Sequence, residues 1–334
     1  MDVKLSVIFI TYNHEKYVEK ALRSVLNQET DFPFEVVIGE DVSTDSTREI
    51  VTRIAKEYPD DPNARVRVRL NLRKENTKHP TLNVYETTMM CKGDYLAYLE
   101  GDDYWSDVHK LQKQMDFLTS HPEYIGVTHS CKLIDENDNE ITDRKTREVG
   151  DLYDWPKGDF TYDDFCYSGK WAGHYASLVS KNIYKEGRFD YTILYRAHDF
   201  VDDALILLFL LMQGKLYRMD EEMSVWRYVN KEDGGNWNSL AKARNLLREN
   251  CYLSKTMMQW MEKEYKLTAY SEYRAREDFG LALKDYIKHP CRENKKFLED
   301  MYDYGITHVV LKDKKSSLFK YSVKTIIAKL SGKE

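Results

Sequence analysis

The stretch Tyr95-Leu96-Ala97-Tyr98-Leu99-Glu100-Gly101-Asp102-Asp103-Tyr104-Trp105 decides the fold, because an apolar run stops abruptly at a group of carboxylates. The run is short, rich in aromatic residues and bounded by glycines, which is typical of a buried strand. The acidic residues then lie at the strand's carboxyl end, where ligands bind in open α/β sheets. Carboxylates this close repel one another. A Mg²⁺ or Mn²⁺ ion shared with a phosphate would relieve the repulsion, and a solvated acidic turn that caps the next helix is the alternative.

Outward from this strand, the chain alternates between strand-like and helix-like segments. Apolar runs at 5–10, 34–38 and 66–70 predict strands, and apolar stripes at 15–26, 82–90 and 108–118 predict helices. Asn13 is a candidate N-cap of the first helix. Such alternation predicts a doubly wound, mostly parallel sheet with helices on both faces.

Composition restricts the partners and the compartment. The 334 residues include 50 basic and 56 acidic side chains, and this net charge of -6 argues against general nucleic-acid binding. The five cysteines form no CxxC pair, which predicts reduced thiols and a cytoplasmic setting. The first residues lack the pattern of a signal peptide, and no apolar run approaches the roughly 20 residues that span a bilayer.

Polar side chains follow the first two predicted strands where each strand ends. Thr11, Tyr12 and Asn13 follow the first strand, and Glu40 and Asp41 follow the second. The carboxyl ends of neighbouring parallel strands meet, so we predict that these residues bind a nucleotide. A carboxylate there can accept a hydrogen bond from a nucleobase, and nearby backbone can hold the ribose. Helix capping is the alternative for Asp41.

The acidic turn itself is the candidate metal site. Asp102, Glu100 and Asp103 are the candidate ligands, and a cation there would neutralise a departing diphosphate. Gly101 has no side chain, so we predict that phosphate approaches its backbone closely. Trp105 either closes the side of this pocket or packs in the core.

Together these motifs resemble family 2 glycosyltransferases in order and spacing. The matching segments are Ser6–Asn13, Glu40–Thr47, Leu99–Trp105 and Lys110–Gln114. The resemblance implies a GT-A fold, a nucleotide-sugar donor, Mn²⁺ or Mg²⁺ as cofactor, and inversion at the anomeric carbon.

The resemblance also implies roles for single residues. The position of Asp41 contacts the base, commonly uracil. The position of Asp102 binds the metal and diphosphate, helped by Glu100 or Asp103. The family's motif usually starts with aspartate where this chain has Glu100, which keeps the charge but lengthens the side chain.

Three carboxylates precede a strongly apolar predicted helix at 204–212. A carboxylate beside another one and next to apolar bulk has a raised pKa, which suits a general base. Counting back from Gly214, Asp203 matches the family's catalytic carboxylate, with Asp202 and Asp199 as alternatives. Ordinary helix capping by these acids is the other interpretation.

The second half of the chain offers two further candidates. His174 lies in a segment, 171–179, that predicts a strand, and it faces the donor sugar or the acceptor, or is structural. Relatives often have a Tyr-Arg-x-His segment before a glycine pair, here Gly234-Gly235. This chain reads Trp-Arg-Tyr-Val-Asn at 226–230 and lacks the histidine, so Arg227 is a candidate phosphate ligand instead.

We therefore predict three parts: a nucleotide-sugar-binding half of a GT-A domain at 1–130, an acceptor-binding and catalytic half at 131–237, and a helical C-terminal region at 238–334. Residues 318–330 form a basic amphipathic stretch that lies on an anionic membrane surface or packs on the protein itself. The first arrangement would place the protein at the inner face of the membrane.

The predicted function is metal-dependent, inverting transfer of a sugar from a UDP-sugar to a hydroxyl of a bacterial surface polysaccharide or lipid-linked glycan. The biological role is an analogy. A nucleotidyltransferase is one alternative, although it usually has a glycine-rich basic loop after the first strand, and residues 11–16 contain no glycine. A non-catalytic nucleotide-sugar-binding protein is the other.

Overall fold

A computed structural model of the chain describes residues 2–76, 78–142, 153–168, 170–187, 189–198, 203–229, 246–266 and 269–304. The protein forms two compact units that divide between residues 240 and 241. The first contains a nine-stranded sheet. The second is mainly helical in the residues that the structure describes.

The N-terminal half of the first unit alternates strands and helices, as the sequence predicts. Its elements are β1 (Leu5–Thr11), α1 (Val18–Leu26), β2 (Phe34–Glu40), α2 (Thr47–Ala55), β3 (Val66–Leu72), α3 (Pro80–Met90), β4 (Tyr95–Glu100), β5 (Tyr104–Trp105), α4 (Lys110–Ser120) and β6 (Tyr124–Ile134).

The rest of the first unit is less regular, and several of its elements have only three or four residues. They are β7 (Gly158–Phe160), α5 (Tyr162–Tyr167), a 3₁₀ turn (Tyr175–Ser177), β8 (Val179–Lys181), a 3₁₀ turn (Ile183–Glu186), α6 (Ile193–Arg196), α7 (Asp203–Leu211) and β9 (Lys215–Arg227). The apolar helix predicted at 204–212 corresponds to α7.

The strand order is β3-β2-β1-β4-β8-β6-β9-β5, and β7 also pairs with β9. The first four strands are parallel. Beyond β4 the sheet is mixed, because β8 runs antiparallel to both β4 and β6 while β6 and β9 are parallel. The predicted α/β class is confirmed, and the sheet is parallel in the half that binds ligands in such folds.

The main hydrophobic core lies under the parallel strands. Every residue of β2 is buried, and so are six of the seven residues of β1. Helices α1, α2 and α4 pack their apolar faces against one side of these strands. Burial on both faces explains why the strands read as continuous apolar runs rather than as alternating ones.

Two local predictions were wrong. Residues 171–179 do not form a strand, because the ring of His174 accepts a hydrogen bond from Ala176 N and the Ser177 hydroxyl donates to His174 O, which turns the chain. Asn13 does not cap α1. That helix begins at Val18, and the Asn13 side chain accepts a hydrogen bond from Thr44 N instead.

The described part of the second unit consists of three helices, α8 (Leu246–Tyr265), α9 (Ala269–Lys288) and α10 (Arg292–Met301). Among the described residues, no helix combines the length and the apolar character needed to cross a bilayer. The amphipathic stretch predicted at 318–330 lies outside the described residues, as does the glycine pair at 234–235.

Candidate active site

The ends of three parallel strands bring the sequence motifs together at one edge of the sheet. β1 lies between β2 and β4, and its last residues pair with theirs: Thr11 with Glu40, and Ile10 with Glu100. The turn after β1, the loop after β2 and the acidic turn after β4 are therefore neighbours, as predicted from the sequence.

The acidic turn holds three carboxylates within reach of one ion. Glu100, Asp102 and Asp103 each offer an oxygen, and these oxygens lie within 4.8 Å of one another. Asp103 is only 2% exposed. Burial raises the pKa of its carboxyl group well above the usual range, and repulsion from Asp102 and then Glu100 raises it further.

Asp103 shows that this cluster suits a cation. Its Oδ1 accepts a hydrogen bond from Arg227 N at 2.8 Å, whereas its buried Oδ2 accepts none from the residues that the structure describes. An oxygen left without a partner in a buried, mutually repelling group is destabilising unless a positive charge is added. Hard carboxylate oxygens in this number fit Mg²⁺ or Mn²⁺.

Gly101 lies where the chain packs closely against itself. A Cβ atom at this residue would lie 2.4 Å from Thr11 Oγ1 and 2.8 Å from His14 Nδ1. The space beside Gly101 on this side is thus occupied by the chain's own side chains, and a contact of phosphate with its backbone stays a prediction. Thr11 Oγ1 and His14 Nδ1 are 3.3 Å apart, and His14 Nε2 lies 3.8 Å from Asp102 Oδ2. The glycine lets β1 and the acidic turn approach each other.

Glu40 is not available to a nucleotide, which corrects the prediction. Its side chain is fully buried and pairs with Arg48 Nε. It also accepts hydrogen bonds from Ser43 N at 2.6 Å and Val42 N at 3.3 Å. These contacts within its own loop leave Glu40 a structural role, namely to fold the chain after β2.

Asp41 forms a buried ion pair at the same edge. Its Oδ1 lies 2.9 Å from Arg73 Nη1, and Arg73 Nε lies 3.1 Å from Glu86 Oε2 on α3. Burial raises the pKa of Asp41, although the Arg73 charge opposes the shift. The contact of Asp41 with a nucleobase stays a prediction, and Arg73 would lie beside that contact.

The turn after β1 and the loop after β2 interlock. Asn13 N donates to Ser43 Oγ at 3.0 Å, and Thr44 N donates to Asn13 Oδ1 at 2.8 Å. Asn13 and Val42 both adopt positive φ angles, 54° and 60°, which are uncommon for residues other than glycine. Tyr12 is half-buried in the same turn. Hydrogen bonds thus hold this edge in a defined shape.

Asp203 is the first residue of α7. Burial raises the pKa of its carboxyl group to about 6, and a hydrogen bond from Ala204 N opposes the shift. Its charge and that of Glu100 both raise the pKa of the Tyr153 hydroxyl, after burial as the main cause. The Tyr153 hydroxyl therefore interacts electrostatically with both the candidate base and the acidic turn. Asp202 and Asp199 lie outside the described residues.

His174 lies beside the acidic turn, with Nδ1 3.8 Å from Asp103 Oδ2. Burial lowers the pKa of its imidazole to about 3, so the ring is neutral and the two groups do not form an ion pair. The ring stacks on Trp226 at 4.5 Å between centroids and meets the edge of Tyr153 at 5.2 Å. His174 thus belongs to an aromatic group at the site.

Two other candidates are almost fully buried. Trp105 is 4% exposed, packs in the hydrophobic core and donates its indole N–H to Ala176 O. Arg227 is 3% exposed, and its guanidinium binds Asp102 O, Asp135 O and the Asp138 carboxylate. Arg227 therefore holds the acidic turn in place, and its contact with phosphate stays a prediction.

Sequence reasoning missed His14, Arg73 and Tyr153. His14 directly follows the Thr11–Asn13 motif, so its position in the turn was a usable signal. Arg73 carries no signal of its own, because its role arises from the pairing of β3 with β2. Tyr153 lies in an irregular segment whose placement depends on its aromatic contacts.

Comparisons with known proteins agree with this geometry. The family model described as glycosyl transferase family 2 matches residues 6–177. An uncharacterized protein of Mycobacterium tuberculosis is 38% identical over 133 residues, which are 40% of this chain and 36% of the relative. The chain thus aligns with about a third of that relative's length.

One relative and one solved structure align over most of the chain. The GalNAc(5)-diNAcBac-PP-undecaprenol beta-1,3-glucosyltransferase of Campylobacter jejuni is 23% identical over 289 residues, which are 85% of this chain and 84% of the relative. The crystal structure of S. aureus TarS 1-349 in complex with UDP-GlcNAc superposes with a TM-score of 0.63 at 16% identity, covering 92% of this chain and 82% of that one. At this identity the likeness shows the GT-A fold.

Proposed function

The chain belongs to glycosyl transferase family 2, and we propose that it transfers a sugar from a UDP-sugar to an acceptor hydroxyl with inversion. The observation that carries this proposal is the acidic turn. Its three carboxylates, one with an unpartnered buried oxygen, stand at the same sheet edge as the Asp41–Arg73 pair. At that edge, the Asp41–Arg73 pair would bind the nucleobase and the acidic turn would bind the diphosphate.

In the proposed reaction, Asp41 and Arg73 orient the nucleobase, and Asp203 removes the proton of the acceptor hydroxyl. The acceptor oxygen attacks the anomeric carbon from the side opposite the UDP leaving group, so the configuration inverts. A Mn²⁺ or Mg²⁺ ion held by Asp102, Asp103 and Glu100 would neutralise the charge that develops on the diphosphate. The raised pKa of Asp203 makes its carboxylate a stronger base than an exposed aspartate.

The donor and acceptor classes draw support from the relatives. The TarS structure contains UDP-GlcNAc, and the Campylobacter enzyme is named for an undecaprenol-linked acceptor. We accordingly propose a UDP-sugar donor and an acceptor within a bacterial surface polysaccharide or lipid-linked glycan. A cytoplasmic location at the inner face of the membrane, through residues 318–330, belongs to the same proposal.

A nucleotide-release assay tests the reaction. The protein is incubated with a panel of UDP-sugars and GDP-sugars in the presence of Mn²⁺, Mg²⁺ or EDTA. We expect UDP release from at least one UDP-sugar with either metal and none with EDTA. Calorimetric binding of UDP without release from any donor would favour a non-catalytic binder. Release of pyrophosphate from UTP and a sugar phosphate would favour a nucleotidyltransferase.

A further inference from the structure

A cleft of about 270 Å³ opens over the β6–β9 pair, beside the acidic turn. Its walls include Cys131, Lys132, Tyr153, His174, Arg218 and Trp226. We propose that this cleft is the acceptor subsite and holds one uncharged sugar ring, with Tyr153 in its wall. The acceptor role rests on the proposed function. The volume is near the lower end for ligand pockets, as suits a single ring rather than an oligosaccharide.

An irregularity in the sheet shapes the cleft. The parallel pairing of β6 with β9 advances from Thr128–Arg218 to Ser130–Glu222, so β9 carries extra residues at this point. Extra residues of this kind bend a strand and redirect its side chains. As a result, Arg218 and Glu222 both face the cleft from one strand. The part of the cleft wall formed by β6 and β9 is therefore a feature of the fold.

The position of the cleft fits an acceptor. His174 forms part of its wall and has its Nδ1 3.8 Å from Asp103 Oδ2. Tyr153 is also in the wall, with its ring 5.2 Å from His174 and 5.3 Å from Trp226. The charges of Asp203 and Glu100 both act on the Tyr153 hydroxyl. A sugar in the cleft would thus have the candidate base and the acidic turn beside it.

The charges of the wall favour an uncharged ligand. Lys132 pairs with Glu140 at 2.7 Å. Arg218 Nη1 already donates to a hydroxyl and a main-chain carbonyl at 3.0 and 2.9 Å. Asp154 lies 3.9 Å from Arg218 Nη2, and with Glu222 the wall has three carboxylates and two cations, which leaves one negative charge in excess. A ligand carboxylate or phosphate would be repelled, whereas sugar hydroxyls can donate to carboxylates and accept from the cations.

Aromatic side chains complete the fit to a sugar ring. Trp226 is half-buried and packs against Tyr153 at 81° between ring planes. The ring of His174 stacks on Trp226. The C–H faces of a pyranose are apolar and pack on aromatic surface, while its hydroxyls point to the sides. Aromatic surface flanked by mixed charges suits an uncharged polyhydroxylated ring.

Saturation-transfer NMR on the full chain with UDP present tests this assignment. The probes are the uncharged methyl glycosides of glucose, galactose, N-acetylglucosamine and N-acetylgalactosamine, with methyl glucuronide as the charged counterpart. We expect saturation of at least one uncharged glycoside and a several-fold weaker effect on methyl glucuronide. Tyr153→Phe should raise the acceptor KM or lower kcat at least tenfold while the donor KM is unchanged.

Tyr228→Phe is the matched control, because Tyr228 also touches Trp226 but is not part of the cleft wall. We expect this variant to behave as the parent. The inference would be overturned if methyl glucuronide were saturated as strongly as the uncharged glycosides or more strongly. It would also be overturned if UDP were saturated and none of the uncharged glycosides were. If uncharged glycosides are saturated and UDP is not, the cleft assignment holds and the donor proposal fails.

Discussion

Replacement of Asp203 by asparagine is expected to abolish sugar transfer while leaving UDP binding intact. Burial at the start of α7 raises the pKa of this carboxyl group from 3.8 to about 6. A shift of about 2 units corresponds to about 3 kcal/mol of differential stabilisation of the protonated form. Asparagine keeps the shape and cannot take a proton. Loss of a positioned general base lowers kcat by roughly 10²–10⁴-fold.

The same pKa predicts a pH profile. The base is active only when ionised, so kcat/KM rises with pH through about 6 and levels off above it. A group with this pKa is about 97% ionised at pH 7.5 and about 9% ionised at pH 5. We therefore expect kcat/KM to fall about tenfold between these pH values through Asp203 alone.

The measurement is UDP release between pH 5 and 8 for the parent, Asp203→Asn and Asp116→Asn. Asp116 is an exposed carboxylate on α4 and serves as the matched control. UDP affinity is measured by calorimetry for each variant. Transfer by Asp203→Asn at the parent rate would refute the reasoning. Retained transfer in that variant, with loss in Asp202→Asn, would assign the base to the neighbouring residue.

Three further predictions follow from buried groups. Arg73→Met should lower the free energy of unfolding by about 3 kcal/mol in urea titration, because it leaves Asp41 buried without its partner. Adding Asp41→Asn to this variant should recover most of the loss. If the effects of the two substitutions on the free energy of unfolding simply add, the reasoning is contradicted. Burial lowers the pKa of the Lys110 amine from 10.5 to about 7, so the protein takes up a proton when it unfolds above pH 7. The free energy of unfolding should therefore rise by up to about 1.4 kcal/mol per pH unit from pH 7 to 9. This dependence on pH should vanish in Lys110→Met. Gly101→Ala places a Cβ 2.4 Å from Thr11 Oγ1. It should lower the stability measured by thermal unfolding by about 1–3 kcal/mol, and it should also lower the affinity for UDP. Stability and UDP affinity equal to those of the parent would show that the turn can accommodate the methyl group.

The sequence predicts where the site lies better than it predicts which side chains face a ligand. The convergence of the motifs follows from strand order, since the carboxyl ends of adjacent parallel strands must meet. The orientation of a side chain depends on which particular residues it pairs with. Glu40 turns inward to Arg48, and Arg227 turns to Asp138, which lies 89 positions earlier in the chain. A pattern of residue types contains no information about these pairs.

The second half of the sheet was harder to predict for a related reason. Its strands are irregular, because β8 has only three residues and the pairing of β6 with β9 shifts in register. Periodicity needs a longer run to distinguish a strand from a turn. The turn at His174 and the extra residues of β9 both depend on specific hydrogen bonds and register rather than on apolar repeats. The cleft proposed as the acceptor subsite arises from this irregular part.

The interlocked loops after β1 and β2 have a thermodynamic consequence for the donor. Asn13, Ser43 and Thr44 are bonded to one another before any ligand arrives, and Asp45 accepts from Glu15 N and Thr47 N. A flexible edge would lose conformational entropy when it closed on a base, at about 0.5–1.5 kcal/mol for each side chain immobilised. Here that ordering is completed during folding, so the affinity of a nucleotide bound at this edge, as proposed, would not be reduced by the ordering of these loops.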